Sequence, residues 1–250
     1  MGSDVGFYGP EQAAIHDERF GDLARDAARL VVDRLYDAGF PSGLVTDLGC
    51  GSGILAAAVV DAGFDATGVD LSPAMVDLAR VALPEATFTV GSVHDVPIAP
   101  SVAVTATGEV LQYATDPRAG LDAFRVLAGR VFLSLAPGGL FVFDVSTPGR
   151  NLGLDVRHVF HDHHSWMLGM HATEVGDRLD RRIVILVREA DGRFRRVDET
   201  HELCLYEPGA VTAILQDVGF AVEQRASYSQ STPSTPLAGW AVFVATKPAI

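Results

Sequence analysis

The first 145 residues alternate between short apolar runs and longer stretches rich in helix-forming residues. Apolar and β-branched residues concentrate at residues 44–48, 64–70, 86–90, 102–107 and 140–145. The intervening stretches, including residues 54–60, 73–83 and 117–135, carry apolar residues at near-helical spacing. This alternation of strand and helix is typical of an α/β domain with a doubly wound, mostly parallel sheet.

The pattern differs at the two ends of this region. Residues 11–38 show helical spacing of apolar residues, which Gly39 and Pro41 end. Residues 150–206 lack a helical pattern and predict three or four strands, with turns at Gly176-Asp177 and Asp191-Gly192. We expect this segment to be an antiparallel insertion rather than an independent domain. A helix at residues 208–218 and strands at 220–228 and 240–246 then complete the core.

A glycine-rich turn follows the first predicted strand. Gly49, Gly51 and Gly53 stand at every second position and precede a predicted helix. Such a turn lets a ligand lie against the backbone, and the helix start adds unpaired N–H groups. The next strand ends in Asp70, 19 positions after Gly51. In a parallel sheet this carboxylate lies beside the turn and accepts both hydroxyls of a ribose, which predicts a nucleoside-binding crevice.

These residues resemble the class I S-adenosylmethionine-dependent methyltransferases. The matching segments are residues 47–53, 69–75 and 136–139. Asp47 stands two positions before the first glycine, which distinguishes the turn from the usual dinucleotide form, although residues 51–56 also fit G-x-G-x-x-A. The resemblance implies a Rossmann-like seven-stranded sheet in a single domain of residues 1–250. It also implies an N-terminal helical lid (residues 1–40) and a β-rich insertion (150–206) over the active site.

The resemblance further implies S-adenosylmethionine as cofactor and a set of residues that bind it. The glycines shape the turn, Asp47 helps to hold the amino-acid end, and Asp70 binds the ribose. Further members of the set are expected at the adenine, at the sulfonium and in the lid. Met75 and the lid residues have a second interpretation, in which they are ordinary core or surface residues without a cofactor contact. The cofactor-binding candidates are Tyr8, Arg25, Asp47, Gly49, Gly51, Gly53, Asp70, Leu71, Met75, Ser92, Val93, Thr107 and Gly108, with Phe20 as a further lid candidate.

The candidates for catalysis come from two places. By the resemblance, Glu109 and Tyr113 follow the fourth strand beside the methyl-donor position. His161 and His163 lie in the insertion, where a histidine can face a substrate pocket. Their spacing follows no helix-borne ligand motif, so we expect no metal site. Methyl transfer depends mainly on positioning, so a dedicated base is not required.

Other polar and aromatic residues have two interpretations each. A histidine or carboxylate at such positions acts either in proton transfer or as a structural group. An aromatic residue in the insertion forms either an apolar wall for the acceptor or part of the insertion's own core. The residues concerned are His94, Glu199, His201 and Glu202 in the first group and Trp166 and Tyr206 in the second.

Composition narrows the partners. The chain of 250 residues carries a net charge of −13, which argues against nucleic-acid binding because that depends on cationic contacts to phosphates. No apolar run is long enough to span a membrane, and the start lacks the features of a signal peptide. The two cysteines make no disulfide framework. We therefore expect a cytoplasmic protein, monomeric or homodimeric.

The expected function is methyl transfer from S-adenosylmethionine to an oxygen or nitrogen of a small molecule such as a secondary metabolite. A D-P-P-Y-type signature for methylation of nucleobases is absent from the sequence. Two alternatives remain at this stage. One is a nicotinamide-dependent oxidoreductase, which also needs a glycine turn and an acidic residue after the second strand. The other is a non-catalytic protein that binds S-adenosylmethionine.

Overall fold

The computed structural model describes residues 8–19, 21–152, 156–229 and 239–249. Phe20 and most of the loop predicted at residues 229–236 lie outside this part of the chain. Within this part, a seven-stranded sheet is flanked by helices. A separate four-stranded sheet is formed by the residues that come between the fifth strand and the last helix along the chain. The helices are α1 (Pro10–Arg19), α2 (Asp22–Asp37), α3 (Ile54–Asp61), α4 (Pro73–Ala82), α5 (Leu121–Ser134) and α6 (Pro208–Val218).

The large sheet has the order β3-β2-β1-β4-β5-β11-β10. Strands β1 to β5 are parallel to their neighbours, and β11 runs antiparallel to both β5 and β10. This arrangement confirms the predicted fold class, a mostly parallel sheet of seven strands. The strands are β1 (Leu44–Leu48), β2 (Asp65–Asp70), β3 (Thr87–Val90), β4 (Ser101–Ala106), β5 (Leu135–Ser146), β10 (Ala221–Arg225) and β11 (Trp240–Thr246).

The four-stranded sheet, called the roof sheet below, is antiparallel throughout. Its strands follow each other in chain order, and turns at Gly176-Asp177 and Asp191-Gly192 join three of them as predicted. Gln112 ties this sheet to the large one, because its side-chain amide donates to the carbonyls of Ser146 and Cys204. The strands are β6 (Val156–Asp162), β7 (Trp166–Val175), β8 (Arg178–Arg188) and β9 (Phe194–Cys204).

Local sequence explains several element boundaries. Ser72 caps α4 by accepting a hydrogen bond from Met75 N at 3.1 Å, and a proline opens the helix. Gly219 ends α6 in the left-handed region, at φ +114°. The face of α2 that packs on the sheet consists of its buried residues Ala27, Ala28, Leu30, Val31 and Leu35.

Several boundaries differ from the prediction. Strand β5 begins at Leu135 rather than at residue 140. The stretch expected as one helix over residues 11–38 is two helices, α1 and α2, which meet near Gly21. Helix α5 begins at Leu121 rather than at 117, after Gly120 at φ +147°. Strand β10 ends at Arg225, short of the predicted residue 228.

None of the helices in the described ranges is long and apolar enough to cross a membrane. The division into a lid, a core and an insertion that acts on the active site stays a prediction.

Candidate active site

A cavity of about 980 Å³, including its open mouth, lies at the carboxyl ends of β1, β2 and β4. This is the edge where ligands bind in open parallel sheets. The glycine turn, the N-terminal helices and the loops after β2, β3 and β4 surround it. The lining residues are Tyr8, His16, Gly21, Leu23, Ala24, Asp47, Gly49, Cys50, Gly51, Ser52, Ile54, Leu55, Asp70, Leu71, Met75, Val93, His94, Thr107, Gly108, Val110, Tyr113 and Asp116.

Gly49 and Gly51 form the floor of this cavity in a conformation that favours glycine. Gly49 has φ +75°, and a Cβ there would lie 2.3 Å from the side chain of Val110. Gly51 has φ +52° and faces open space, with Met75 Sδ at 4.0 Å from an added Cβ. The turn therefore presents bare backbone to a ligand.

Gly53 has a different role from the other two glycines. A Cβ there would lie 3.2 Å from Ala79 Cβ, because α3 and α4 approach closely at this point. It is not among the lining residues. Gly53 allows helix packing, and we revise the expectation that it contacts the cofactor.

Asp70 connects the glycine turn to α4. Its Oδ2 accepts from Gly51 N at 2.9 Å, and its Oδ1 accepts from Ser72 N at 2.8 Å. Burial raises the pKa of this carboxyl, while the N–H groups of Ser72 and Gly51 oppose the rise by favouring the carboxylate. The side chain reaches the cavity with acceptor capacity left for hydroxyl groups.

Asp47 lies at the cavity end of β1 and is 2% exposed. Burial raises its pKa to about 7, a hydrogen bond of 2.6 Å from Thr105 Oγ1 lowers it, and the charge of Asp70 raises it further. A cation bound in the cavity would therefore shift Asp47 to its carboxylate form at neutral pH.

The loops after β2 and β3 form the wall opposite the glycine turn. Leu71, Met75 and Val93, the residues predicted to lie at the adenine, line the cavity, and their contact with adenine stays a prediction. Ser92 does not line it; its hydroxyl donates to Asp116, which does, and accepts from His94 N at 3.0 Å. Asp116 was not predicted, because only the fold brings this loop residue beside Ser92.

Glu109 is buried and ion-paired rather than open to the cavity. It accepts hydrogen bonds from Arg150 Nε at 3.0 Å, Arg181 Nη2 at 2.8 Å and the hydroxyl of Ser146. Burial raises its pKa, but the charges and hydrogen bonds of Arg181, with Arg150 and Ser146, outweigh burial and bring the pKa to about 2. Such a carboxylate is a poor proton acceptor, so we revise its predicted catalytic role to a supporting one.

Asp144 holds the loop after β4 and was not predicted. Its carboxylate accepts from Gly108 N and Glu109 N, each at 2.7 Å, and from the hydroxyl of Tyr228 at 2.6 Å. Burial raises its pKa to about 7 against these hydrogen bonds. The available signal was an acidic residue within the apolar run 140–145, since a buried acid requires partners.

Tyr8, Tyr113 and His16 lie together on the side of the cavity towards the roof sheet. The hydroxyls of Tyr8 and Tyr113 are 3.3 Å apart, and the ring of His16 stands edge-on to Tyr8 with centroids 5.6 Å apart. Burial raises the pKa of Tyr8 to about 12 and that of Tyr113 well above its usual value. Burial lowers the pKa of His16. At neutral pH this wall holds two protonated hydroxyls and a neutral imidazole.

The structure does not bring the remaining candidates to the cavity. Arg25 is half-exposed and donates to Asp22 at 3.0 Å, beside the lining residue Gly21. His161 lies on β6 opposite Leu168. Neither residue lines the cavity, so we revise the predicted cofactor contact of Arg25 and the predicted substrate contact of His161.

His163 and Trp166 pack at the junction of the roof sheet with α1. His163 Nδ1 lies 3.0 Å from Ser165 Oγ, and Trp166 Nε1 donates to Glu18. Trp166 belongs to an apolar cluster with Ile15, so its structural interpretation holds. Tyr206 likewise packs in the core and donates to a main-chain carbonyl. In the ranges described, no three histidine, cysteine or acidic residues are grouped to hold a metal ion.

Comparisons with known proteins place this site in a family. Residues 45–139 match the family model described as "Methyltransferase domain". A putative methyltransferase of Geobacillus sp. (strain WCH70) is 26% identical over 204 residues, covering 76% of this chain and 79% of the relative. The trans-aconitate 2-methyltransferase of Delftia acidovorans is 35% identical over 103 residues, covering 40% of this chain and 37% of the relative.

Solved structures with the same fold cover almost the whole chain. An S-adenosylmethionine-dependent methyltransferase from Clostridium acetobutylicum matches with a TM-score of 0.81 and 18% identity, over 96% of this chain and 98% of that one. The sugar N-methyltransferase KedS8 from Streptoalloteichus sp. matches with a TM-score of 0.76 and 21% identity, over 99% and 95%. At these identities the matches establish the fold alone.

The fold and the crevice define a Rossmann-like methyltransferase domain. Residues 45–139 match the methyltransferase domain family, in agreement with the class I S-adenosylmethionine-dependent motifs of the sequence. The protein is a methyltransferase, and S-adenosylmethionine is its methyl donor. This decides against the nicotinamide-dependent alternative. The bare backbone of the turn and the two carboxylates Asp47 and Asp70 fit a nucleoside that carries positive charge.

Proposed function

We propose that this protein transfers a methyl group from S-adenosylmethionine to an oxygen or nitrogen atom of a small organic acceptor. The observation that carries the proposal is one continuous cavity with two different ends. One end holds the glycine turn with Asp47 and Asp70, and the other holds His16 and Tyr113. Tyr8 lies between the two ends, because its carbonyl accepts from Ser72 and its hydroxyl lies 3.3 Å from that of Tyr113. The first end suits the donor and the second suits the acceptor.

At the donor end, each role follows from the chemistry of the lining group. Asp70 accepts hydrogen bonds from the ribose hydroxyls, since Gly51 and Ser72 already fix its orientation. Asp47 receives the cationic amino-acid end. Leu71, Met75 and Val93 provide the apolar surface against which adenine packs. Thr107 and Gly108, which also line the cavity, would hold the sulfonium side of the donor.

At the acceptor end, we assign proton acceptance to His16. The donor, when bound, supplies an electrophilic methyl group. An acceptor hydroxyl or ammonium group must lose a proton before or during transfer, and a neutral amine loses one afterwards. Tyr8 and Tyr113 keep their protons at neutral pH and serve as hydrogen-bonding groups that orient the acceptor. His16 is neutral there, and a neutral imidazole has one unprotonated ring nitrogen, whereas the pKa of the ion-paired Glu109 is lowered to about 2.

The charge of the lining favours a neutral or cationic acceptor. The lining residues include three carboxylates, Asp47, Asp70 and Asp116, and within the described part of the chain they include no lysine or arginine. An anionic acceptor such as a carboxylate or phosphate would lack a cationic partner among these lining residues. An alcohol or an amine fits this lining better. Together with the net charge of −13, this also argues against a nucleic-acid substrate.

A panel of acceptors tests the proposal. Amines, sugars with amino or hydroxyl groups, and carboxylic acids of similar size would each be incubated with the protein and S-adenosylmethionine, and release of S-adenosylhomocysteine would be measured. We expect turnover with amines or alcohols and none with the carboxylic acids. Turnover confined to carboxylic acids would contradict the assignment of the acceptor end. Tight donor binding without turnover on any acceptor would favour the non-catalytic alternative.

A further inference from the structure

A buried carboxylate of the roof sheet holds the main chain of the cavity-lining residue Tyr8. Glu199, on β9, is 3% exposed. Its Oε2 accepts from Tyr8 N at 3.2 Å and its Oε1 accepts from Gly9 N at 3.0 Å. Two adjacent main-chain N–H groups thus donate to one carboxylate, which belongs to a strand about 190 residues away in sequence. The negative charge of the carboxylate makes these hydrogen bonds stronger than bonds between neutral groups.

The neighbouring residue on the same face of β9 holds the ring of Tyr8. His201 Nε2 lies 3.2 Å from Glu199 Oε2, and residues two apart on a strand share a face. The His201 ring packs against the Tyr8 ring, with centroids 4.9 Å apart at 31°, and meets Tyr113 edge-on at 5.6 Å. Backbone and ring of Tyr8 are therefore both fixed by the roof sheet.

The donor end of the cavity holds Tyr8 from the opposite side. The hydroxyl of Ser72 donates to the carbonyl of Tyr8 at 2.7 Å. Ser72 N in turn donates to Asp70 Oδ1 at 2.8 Å. Tyr8 has φ +48°, a backbone conformation that side chains disfavour, so these contacts offset a local cost. A continuous series of hydrogen bonds runs from Asp70 through Ser72 and Tyr8 to Glu199.

We propose that Glu199 is a positioning residue for the donor site: it seats Tyr8 over the cavity, and donor binding and this seating stabilise each other. The inference rests on the proposed function, because it takes the Asp70 end of the cavity as the place of the donor. Glu199 does not line the cavity and acts through Tyr8. By thermodynamic linkage, the seating of Tyr8 strengthens donor binding by the same factor by which the donor strengthens the seating. A variant that loses the seating therefore loses that factor of donor affinity.

The test compares Glu199→Gln with Glu202→Gln, since Glu202 lies on the same strand with an exposed side chain. The glutamine at 199 keeps one acceptor and turns an N–H₂ group towards the second main-chain N–H. Binding of S-adenosylhomocysteine is measured by calorimetry, and amide hydrogen exchange of Tyr8 and Gly9 by NMR. Glu199→Asp, which keeps the charge on a shorter side chain, serves as the conservative variant.

We expect Glu199→Gln to weaken S-adenosylhomocysteine binding by about tenfold or more, the order of one charge-assisted hydrogen bond. Exchange at Tyr8 and Gly9 should accelerate by a similar factor, while exchange in β8 and β9 stays as in the wild type. Glu199→Asp should fall between the two, and Glu202→Gln should match the wild type in both measurements.

Two results would overturn the proposal. One is binding by Glu199→Gln within twofold of Glu202→Gln. The other is a loss of binding accompanied by faster exchange throughout β8 and β9, which would show general damage to the roof sheet instead of lost seating. Failure of the proposed function gives a different result, because the wild type itself would then not bind S-adenosylhomocysteine.

Discussion

The main-chain N–H of Gly51 donates a hydrogen bond of 2.9 Å to Oδ2 of Asp70, which joins the two motifs that the sequence separates by 19 positions. The other carboxylate oxygen accepts from Ser72 N, at the start of α4. One side chain thus fixes the turn after β1 relative to the turn after β2. Asp70 lines the cavity, and each of its carboxylate oxygens can accept a further hydrogen bond from a hydroxyl group.

Asp47 makes donor binding depend on pH. Its pKa of about 7 in the free protein must fall when a cationic ligand binds beside it, because the ligand favours the carboxylate. Affinity for S-adenosylhomocysteine should therefore rise between about pH 6 and pH 8, and the raised pKa of Asp70 acts in the same direction. Calorimetry across this range measures the effect. Asp47→Asn should flatten much of the dependence; an equal slope in that variant would contradict the assignment of Asp47.

Glu109 should matter for stability. Glu109→Gln leaves Arg181, whose side chain is 13% exposed, without its main anionic partner, so we expect a loss of about 3–5 kcal/mol in the free energy of unfolding at pH 7. The folded-state pKa is lowered to about 2, so the contribution of the carboxylate is present above its ordinary pKa of 4.5 and is lost as the pH falls towards 2. The difference between wild type and variant should shrink over that range.

Urea denaturation measures this loss, and Glu223→Gln is the matched control. Glu223 also pairs with two arginines, Arg34 and Arg225, but its side chain is 41% exposed. Solvent screening limits such a pair to about 1 kcal/mol or less. Equal losses in the two variants would show that burial of the Glu109 pair has no special weight.

His16 should affect the rate of methyl transfer more than donor binding. With an acceptor from the panel, His16→Gln should lower kcat by about 10²–10⁴-fold, the usual contribution of a positioned proton acceptor. In the wild type, kcat should rise with pH through a pKa below 6.5, because burial lowers the pKa of His16 while Asp17 raises it and His201 lowers it further. The variant should lose that limb. His164→Ala, at an exposed imidazole, is the control; an unchanged kcat in His16→Gln would remove His16 from proton transfer.

Two glycines should respond to alanine in opposite ways. Gly49→Ala puts a Cβ 2.3 Å from Val110 at φ +75°, so it should destabilise the protein and weaken donor binding. Gly129 lies inside α5 with open space around an added Cβ, so Gly129→Ala should stabilise by about 0.4–1 kcal/mol. Thermal unfolding and calorimetry compare them. A neutral Gly49→Ala would contradict the close packing described for this turn.

The sequence allowed the prediction of what depends on local pattern. The parallel core, the glycine turn and Asp70 follow from strand periodicity and from glycines at fixed spacing. Ser72 as a helix cap follows in the same way. In each of these cases the determining residues lie within one strand–turn–helix unit.

Groups that depend on distant partners were beyond such reasoning. The role of Glu109 is set by Arg181, 72 residues later, and that of Asp144 by a loop 35 and 36 residues earlier. Glu199 contacts Tyr8 across 191 residues. The break between α1 and α2 at Gly21 was missed because the apolar spacing continues across it.

The most direct test of the placement of the methyl donor at Asp70 is a binding measurement with S-adenosylhomocysteine. It compares the wild type, Asp70→Ala and Asp65→Ala, with NAD as a control ligand. Asp65 starts the same strand with an exposed side chain, so its loss should leave binding unchanged. We predict that the wild type binds S-adenosylhomocysteine and does not bind NAD. The binding free energy of S-adenosylhomocysteine should be weaker in Asp70→Ala by about 1–3 kcal/mol, because charge-assisted hydrogen bonds are lost. Equal affinity in all three proteins, or preference of the wild type for NAD, would contradict the placement of the methyl donor at Asp70.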